Sequence, residues 1–122
     1  MTRVVRILLF ANIGLFFLQN TVGWVTSALI FVPQLIVVRP WTIITYMFLH
    51  AGMMHLLFNM LGLYFFGPRL EERLGSRSFL ILYVLSGVSG ALLSLIMGPS
   101  AAVLGASAAV FGVMLGFAWF WG

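Results

Sequence analysis

His50-Ala51-Gly52-Met53-Met54-His55-Leu56-Leu57-Phe58-Asn59, HAGMMHLLFN, sets two imidazoles and a carboxamide at the head of a stretch that otherwise reads as hydrocarbon. Such groups cost several kcal/mol each if left unpaired away from water, so within a membrane they mark a pathway or a reaction. On a helix, His55 and Asn59, four residues apart, project side by side. Carried back on the same helix, His50 lies five residues before His55 and about 140° away, which argues against a shared metal ion.

The surrounding composition explains why the polar groups stand out. Of the 122 residues, 63% are hydrophobic and 7% charged, and the mean hydropathy is +1.18. No soluble domain of this size stays dispersed with such a surface, so the bilayer is the expected solvent. Six arginines against two glutamates give a net charge of +4. They sit at segment ends, which fits orientation signals and excludes a nucleic-acid surface. With no cysteine, disulfides, thiolate nucleophiles and Cys-based metal sites are excluded. The basic start, Met1 to Arg6, and the apolar run that follows suggest a signal peptide, but no small-residue cleavage site follows them, so a retained first helix is expected.

Length then sets the number of crossings, since a helix needs about 20 apolar residues to span. Four spans are expected, at roughly 5–25, 50–67, 78–97 and 104–121, with an interfacial loop over roughly 26–45 and a break at Gly98-Pro99-Ser100. Arg3, Arg6, Arg69, Arg73 and Arg77 against Arg39 alone place the N-terminus in the cytoplasm. His50 and Ser107 then share one depth near the external face. Glycines and small residues complete the pattern. Gly105, Ala109, Gly112 and Gly116 form a stripe on the last span, and Ser86, Gly87, Ser89, Gly90, Ala91 and Ser94 cluster on the third, so these helices are expected to pack closely. Glu71 and Glu72 among arginines read as a structural turn, and Met47, Met53, Met54 and Met60 as filling of the bundle.

Four segments together resemble the rhomboid family of intramembrane serine proteases. RPWTIITYMFLH (39–50) resembles the approach to that family's second helix and HAGMMHLLFNMLGLYFFG (50–67) the helix itself. PRLEERLGSRSFLILYVLSG resembles the following turn and third helix, and VLGASAAVFG (103–112) the nucleophile segment, whose usual form is G-x-S-G. The resemblance implies an all-α, rhomboid-like polytopic bundle, four of an expected six membrane helices, forming a single incomplete domain over 1–122.

It also implies roles. Ser107 takes the nucleophile's place, supported by Gly105, Ala108 and Gly112, while His55 and Asn59 take that of oxyanion-stabilising groups and His50 helps order the water-facing cavity. Ala108 departs from the family's glycine. The family's general base is a histidine on its sixth helix, a role that neither His50 nor His55 fills by motif, and the last residues carry no basic flank. The expectation is therefore the N-terminal part of a serine endopeptidase that cleaves single-pass transmembrane proteins in a bacterial inner membrane. It needs no cofactor and is inactive as this stretch stands. The alternative is a non-catalytic rhomboid-like binder of transmembrane helices, motivated by Ala108 and the missing base; a transporter has little support, since no span carries a buried charge.

Overall fold

A computed structural model describes the backbone of residues 1–97 and 107–122, and their side chains apart from those of Met97 and Ser107. Every regular element among these residues is helical: α1 (Arg3–Thr21), α2 (Val25–Leu29), α3 (Thr42–Thr45), α4 (Met53–Leu74), α5 (Ser76–Met97) and α6 (Ser107–Trp121), with short 3₁₀ turns at Pro33–Leu35 and Tyr46–Phe48. α1 and α5 are each long and apolar enough to cross a membrane. The Thr42–Phe48 segment and α4 make a third candidate as a pair bent by 96°, and the apolar part of α6 is shorter. The break at Gly98-Pro99-Ser100 lies outside the described residues.

α1 begins without an acidic residue in its first turn, and its N-cap residue, Thr2, makes no side-chain cap bond. Its first amides are satisfied from a distance. Glu71, 3% exposed, accepts the Val4 N–H through both carboxylate oxygens at 3.1 and 3.0 Å and the Val5 N–H at 3.0 Å. A carboxylate at a helix N-terminus meets both the orphan donors and the positive end of the dipole. Ser76 donates to the same carboxylate at 2.7 Å, so one side chain ties α1 to the elbow between α4 and α5.

That elbow is tighter than a connecting loop. The apolar run of α4 ends at Gly67, yet the helix continues through Pro68 to Leu74, and Arg69, Glu71, Glu72 and Arg73 are helical. Gly75, at φ 89°, makes the turn alone, a backbone state that costs glycine little. The expected charged connection is thus a helix end, with Arg69 over the Trp121 ring at 4.4 Å and Arg73 over Phe120 at 4.8 Å. Those contacts draw the ends of α4 and α6 together.

The segment between α1 and α4 is organised by its own polar side chains. Arg39, Trp41 and Thr45 donate in turn to the carbonyls of Ser27, Ala28 and Leu29, at 2.6, 3.0 and 2.9 Å. Carbonyls at a helix C-terminus have no intrahelical partner, so these three donors close the end of α2. Tyr46 and Met47, both buried, then press into α5. The Tyr46 hydroxyl donates to the Gly87 carbonyl at 2.6 Å, and Met47 occupies the space a side chain at position 87 would need.

Small residues set the distances in the rest of the bundle. A methyl at Gly62 of α4 would come within 2.9 Å of Val110 on α6, and one at Gly112 would collide with Ser86 of α5. Around these contacts lies a core that includes Val5, Leu63, Leu70, Phe79, Tyr83 and Val113. Met47 and Met60 fill it as expected, whereas Met53 and Met54 are exposed.

Candidate functional site

Gly52 is the N-cap of α4, with extended backbone and no side-chain oxygen to offer the first turn. His55, third in the helix, reaches back instead. Its Nδ1 accepts the Ala51 N–H at 3.4 Å, one residue beyond the N-cap amide that a capping box would meet. In neutral imidazole one ring nitrogen accepts and the other carries the proton, and accepting at Nδ1 is compatible with a proton on Nε2. Asn59, one turn on and buried, donates from Nδ2 to the His55 carbonyl at 3.0 Å. The two side chains lie along one face of α4, as their spacing predicts.

His50 differs from the expectation. The helix starts after it, so the angle read from a continuous helix does not apply, and the chain folds back to bring the His50 and His55 rings edge to face with centroids 5.1 Å apart. Only 2% of His50 is exposed. Among the described residues no group of three His, Cys, Asp or Glu side chains comes together.

The peptide groups of His50 are held from α1. The Gln19 carboxamide oxygen accepts the His50 N–H at 2.8 Å, and the Gln19 Nε2 donates to the His50 carbonyl at 3.1 Å and to Thr26 Oγ1 at 3.2 Å. Sequence pattern places Gln19 inside the first span, over roughly 5–25, and gives it no role. A polar residue closing an apolar helix near the depth of another buried polar group is the signal that points to it. Beside this clamp lies a cleft of about 990 Å³ between α1 and the start of α4, whose lining includes Phe16, Gln19, Thr26, His50, Leu56 and Met60.

On the opposite side of α4 runs α6, whose backbone begins at Ser107. Gly105 and the Ser107 side chain lie outside the described residues. Ala108 directs its methyl at α5, where a methyl on Gly90 would stand 2.5 Å away. Contacts down the α4–α6 seam advance together on both helices. Gly62 meets Val110, Phe66 packs on Phe117 with ring centroids 5.0 Å apart, and Arg69 covers Trp121. The two helices therefore run parallel.

The family model described as the Rhomboid domain matches residues 37–121, which include His50, His55, Asn59 and the whole of α4, α5 and α6. The chain belongs to the rhomboid family. Among similar proteins, Rhomboid-like protease 3 of Toxoplasma gondii is 45% identical over 78 residues, covering 64% of this chain and 30% of that protein. The putative rhomboid protease YdcA of Bacillus subtilis is 43% identical over 74 residues, 60% of this chain and 37% of that one. RHOMBOID-like protein 1 of Arabidopsis thaliana is 43% identical over 74 residues, covering 61% and 19%. Matched segments thus span well under half the length of these relatives. As a rhomboid with two or three apolar helices long enough to cross a bilayer, this is a membrane protein.

Proposed function

We propose that this rhomboid chain carries the nucleophile and oxyanion segments of an intramembrane serine endopeptidase whose substrates are transmembrane segments of other proteins. The parallel register of α4 and α6 supports this reading above all. Gly62 and Val110 are in contact, and three residues back along each helix stand Asn59 and Ser107, one rise of about 4.5 Å higher on both. Parallel helices set side by side keep such residues level.

In this reading the Ser107 hydroxyl adds to the scissile carbonyl, and the carbonyl oxygen becomes an anion. The His55 Nε2–H and the Asn59 amide, with the Ser107 backbone N–H, stabilise it, in a setting where fixed donors act far more strongly than in water. The serine proton passes to a base, a role the family gives to a histidine of its sixth helix, and then to the leaving amine. Water then hydrolyses the acyl-enzyme. Four spans, taking α1, α4, α5 and α6 as crossings, with the N-terminus placed in the cytoplasm on the distribution of arginines, would set the site near the outer face, where water enters. In this reading 1–122 is a single incomplete rhomboid-like domain that carries the nucleophile and oxyanion segments.

Ala108 favours the enzyme over a non-catalytic helix binder, because its methyl is taken up against Gly90 of α5. The test is labelling by a fluorophosphonate in liposomes, for the full-length protein that includes this stretch and for its Ser107→Ala variant. Labelling of the first and not of the second is expected; equal labelling removes Ser107 from the mechanism, and no labelling of either favours the binder.

A further inference from the structure

Five arginines, Arg3, Arg6, Arg69, Arg73 and Arg77, are exposed, and the fold gathers them at one end of the bundle. Glu71 ties the start of α1 to the elbow of α4 and α5, and the stacking of Arg69 on Trp121 and of Arg73 on Phe120 brings the end of α6 to the same place. The Glu71 carboxylate is buried and taken up by N–H and O–H donors. That leaves Glu72 as the one exposed acid beside five cations. Orientation in a membrane needs only such a count of charges. One of the five also stands in a shaped place.

A cup of about 500 Å³ opens where the apolar run of α4 ends, lined by Met1, Tyr64, Phe65, Pro68, Arg69 and Glu72. On its apolar side Phe58, Leu61 and Phe65, all exposed, run along one face of α4 up to it, at helical spacing. On its polar side the Arg69 guanidinium is held by one face over the Trp121 ring, at 4.4 Å. Stacking by a face leaves the in-plane N–H donors for a partner, the arrangement that suits a phosphate. An apolar stripe on one side and a fixed guanidinium on the other match an amphiphile whose phosphate joins its acyl chains to its headgroup.

We propose that this cup holds the headgroup of an anionic phospholipid from the surrounding bilayer: Arg69 donates to the phosphodiester, and an acyl chain lies along Phe58, Leu61 and Phe65. The other arginines of this end favour an anionic headgroup over a zwitterionic one, since each adds to the attraction for negative lipid. Nothing in the proposal depends on Ser107 or on proteolysis. Glu72 distinguishes the two headgroup classes by sign. Its carboxylate lines the same cup, where it opposes an added negative charge and would attract the ammonium of an ethanolamine headgroup.

The experiment is native mass spectrometry of the full-length protein that includes this stretch, released from detergent micelles after titration with phosphatidylglycerol or with phosphatidylcholine of the same acyl chains. Phosphatidylglycerol is expected to bind the more tightly. Arg69→Gln should weaken its binding by about fivefold, the worth of one arginine near an anionic surface. Arg77→Gln removes the same charge at the same end but outside the cup's lining, and should change the binding less. Glu72→Gln, at an exposed position, should tighten it, and supplies a second route should Arg69→Gln fail to fold. Inorganic phosphate at the same concentration should not displace the lipid, because it has no chain to lay on α4.

A loss in Arg69→Gln no greater than that in Arg77→Gln reduces the effect to the general charge of this end and overturns the proposal, as does equal binding of the two lipids. Unchanged binding in Glu72→Gln places the lipid outside the cup, and weaker binding there assigns the cup to a zwitterionic headgroup. Displacement by inorganic phosphate assigns it to a free anion. Each of these three results overturns the proposal as well.

Discussion

Glu71 receives the amide hydrogen of Val4, a residue 67 positions earlier, on both oxygens of a carboxylate shut away from solvent. With Val5 and Ser76 also donating to it, the side chain serves as the cap that α1 lacks in its own sequence. Charged hydrogen bonds are worth about 1.5–3 kcal/mol each, and removing the acceptor leaves buried donors unpaired. Glu71→Ala is therefore expected to lower stability by at least about 3 kcal/mol. Glu71→Gln, which keeps one acceptor oxygen, should lose less. Thermal unfolding in detergent, with Glu72→Ala as the exposed control, measures both; an unchanged midpoint for Glu71→Ala would remove the cap from the account.

The same contacts carry a pH dependence. Burial alone would raise the Glu71 pKa, but the hydrogen-bond donors around it, among them Ser76, Val4 and Val5, outweigh it and hold the carboxyl below its ordinary value. A depressed pKa in the folded state means the unfolded chain binds the proton more readily, so the stabilisation is complete above the ordinary glutamate value of about 4.3 and is lost as pH falls through the lower, folded value. The melting temperature is expected to fall on acidification through that range, and the fall should be smaller in Glu71→Gln. Parallel curves for the two proteins would contradict the assignment.

Apolar length and period make the helices legible from residues alone, and the His55–Asn59 spacing with the Ser107 segment makes the family legible. The misreadings share one cause. Placing His50 on the helix of His55 assumes a continuous helix through Gly52, but that glycine is the cap, and the fold-back that joins the two rings depends on Gln19, 31 residues away. Glu71 likewise looks like one member of a charged turn, because its partner is the start of another helix. Local pattern shows which residues share a face. It is blind to a side chain that completes the hydrogen bonding of a distant backbone.

Gly112 tests the close packing of α5 and α6. A methyl there would overlap the Ser86 side chain, and overpacking of this kind costs about 1–3 kcal/mol. Gly112→Ala is expected to destabilise within that range, and Ser86→Gly to restore much of the loss when combined with it. Two residues in direct contact couple, whereas distant ones add. A double-mutant cycle on thermal midpoints reads the coupling; strict additivity would place the two residues apart.

Oxyanion donors have a kinetic signature distinct from that of packing residues. Their bonds strengthen only as charge develops, so removing one slows the chemical step far more than it weakens binding, by about 10²- to 10³-fold in serine proteases. Asn59→Ala and His55→Ala are each expected to slow fluorophosphonate labelling of Ser107 by about 10²-fold, since the phosphonyl oxygen gains charge as the serine attacks. Because both would act on one oxygen, the double variant should fall short of the product of the two single losses. Asn59 is buried and tied to the His55 carbonyl, so its replacement also lowers the melting temperature. Labelling measured well below both midpoints separates the effects: a slow rate there is a loss of chemistry, and a rate that recovers on cooling assigns Asn59 to the scaffold alone.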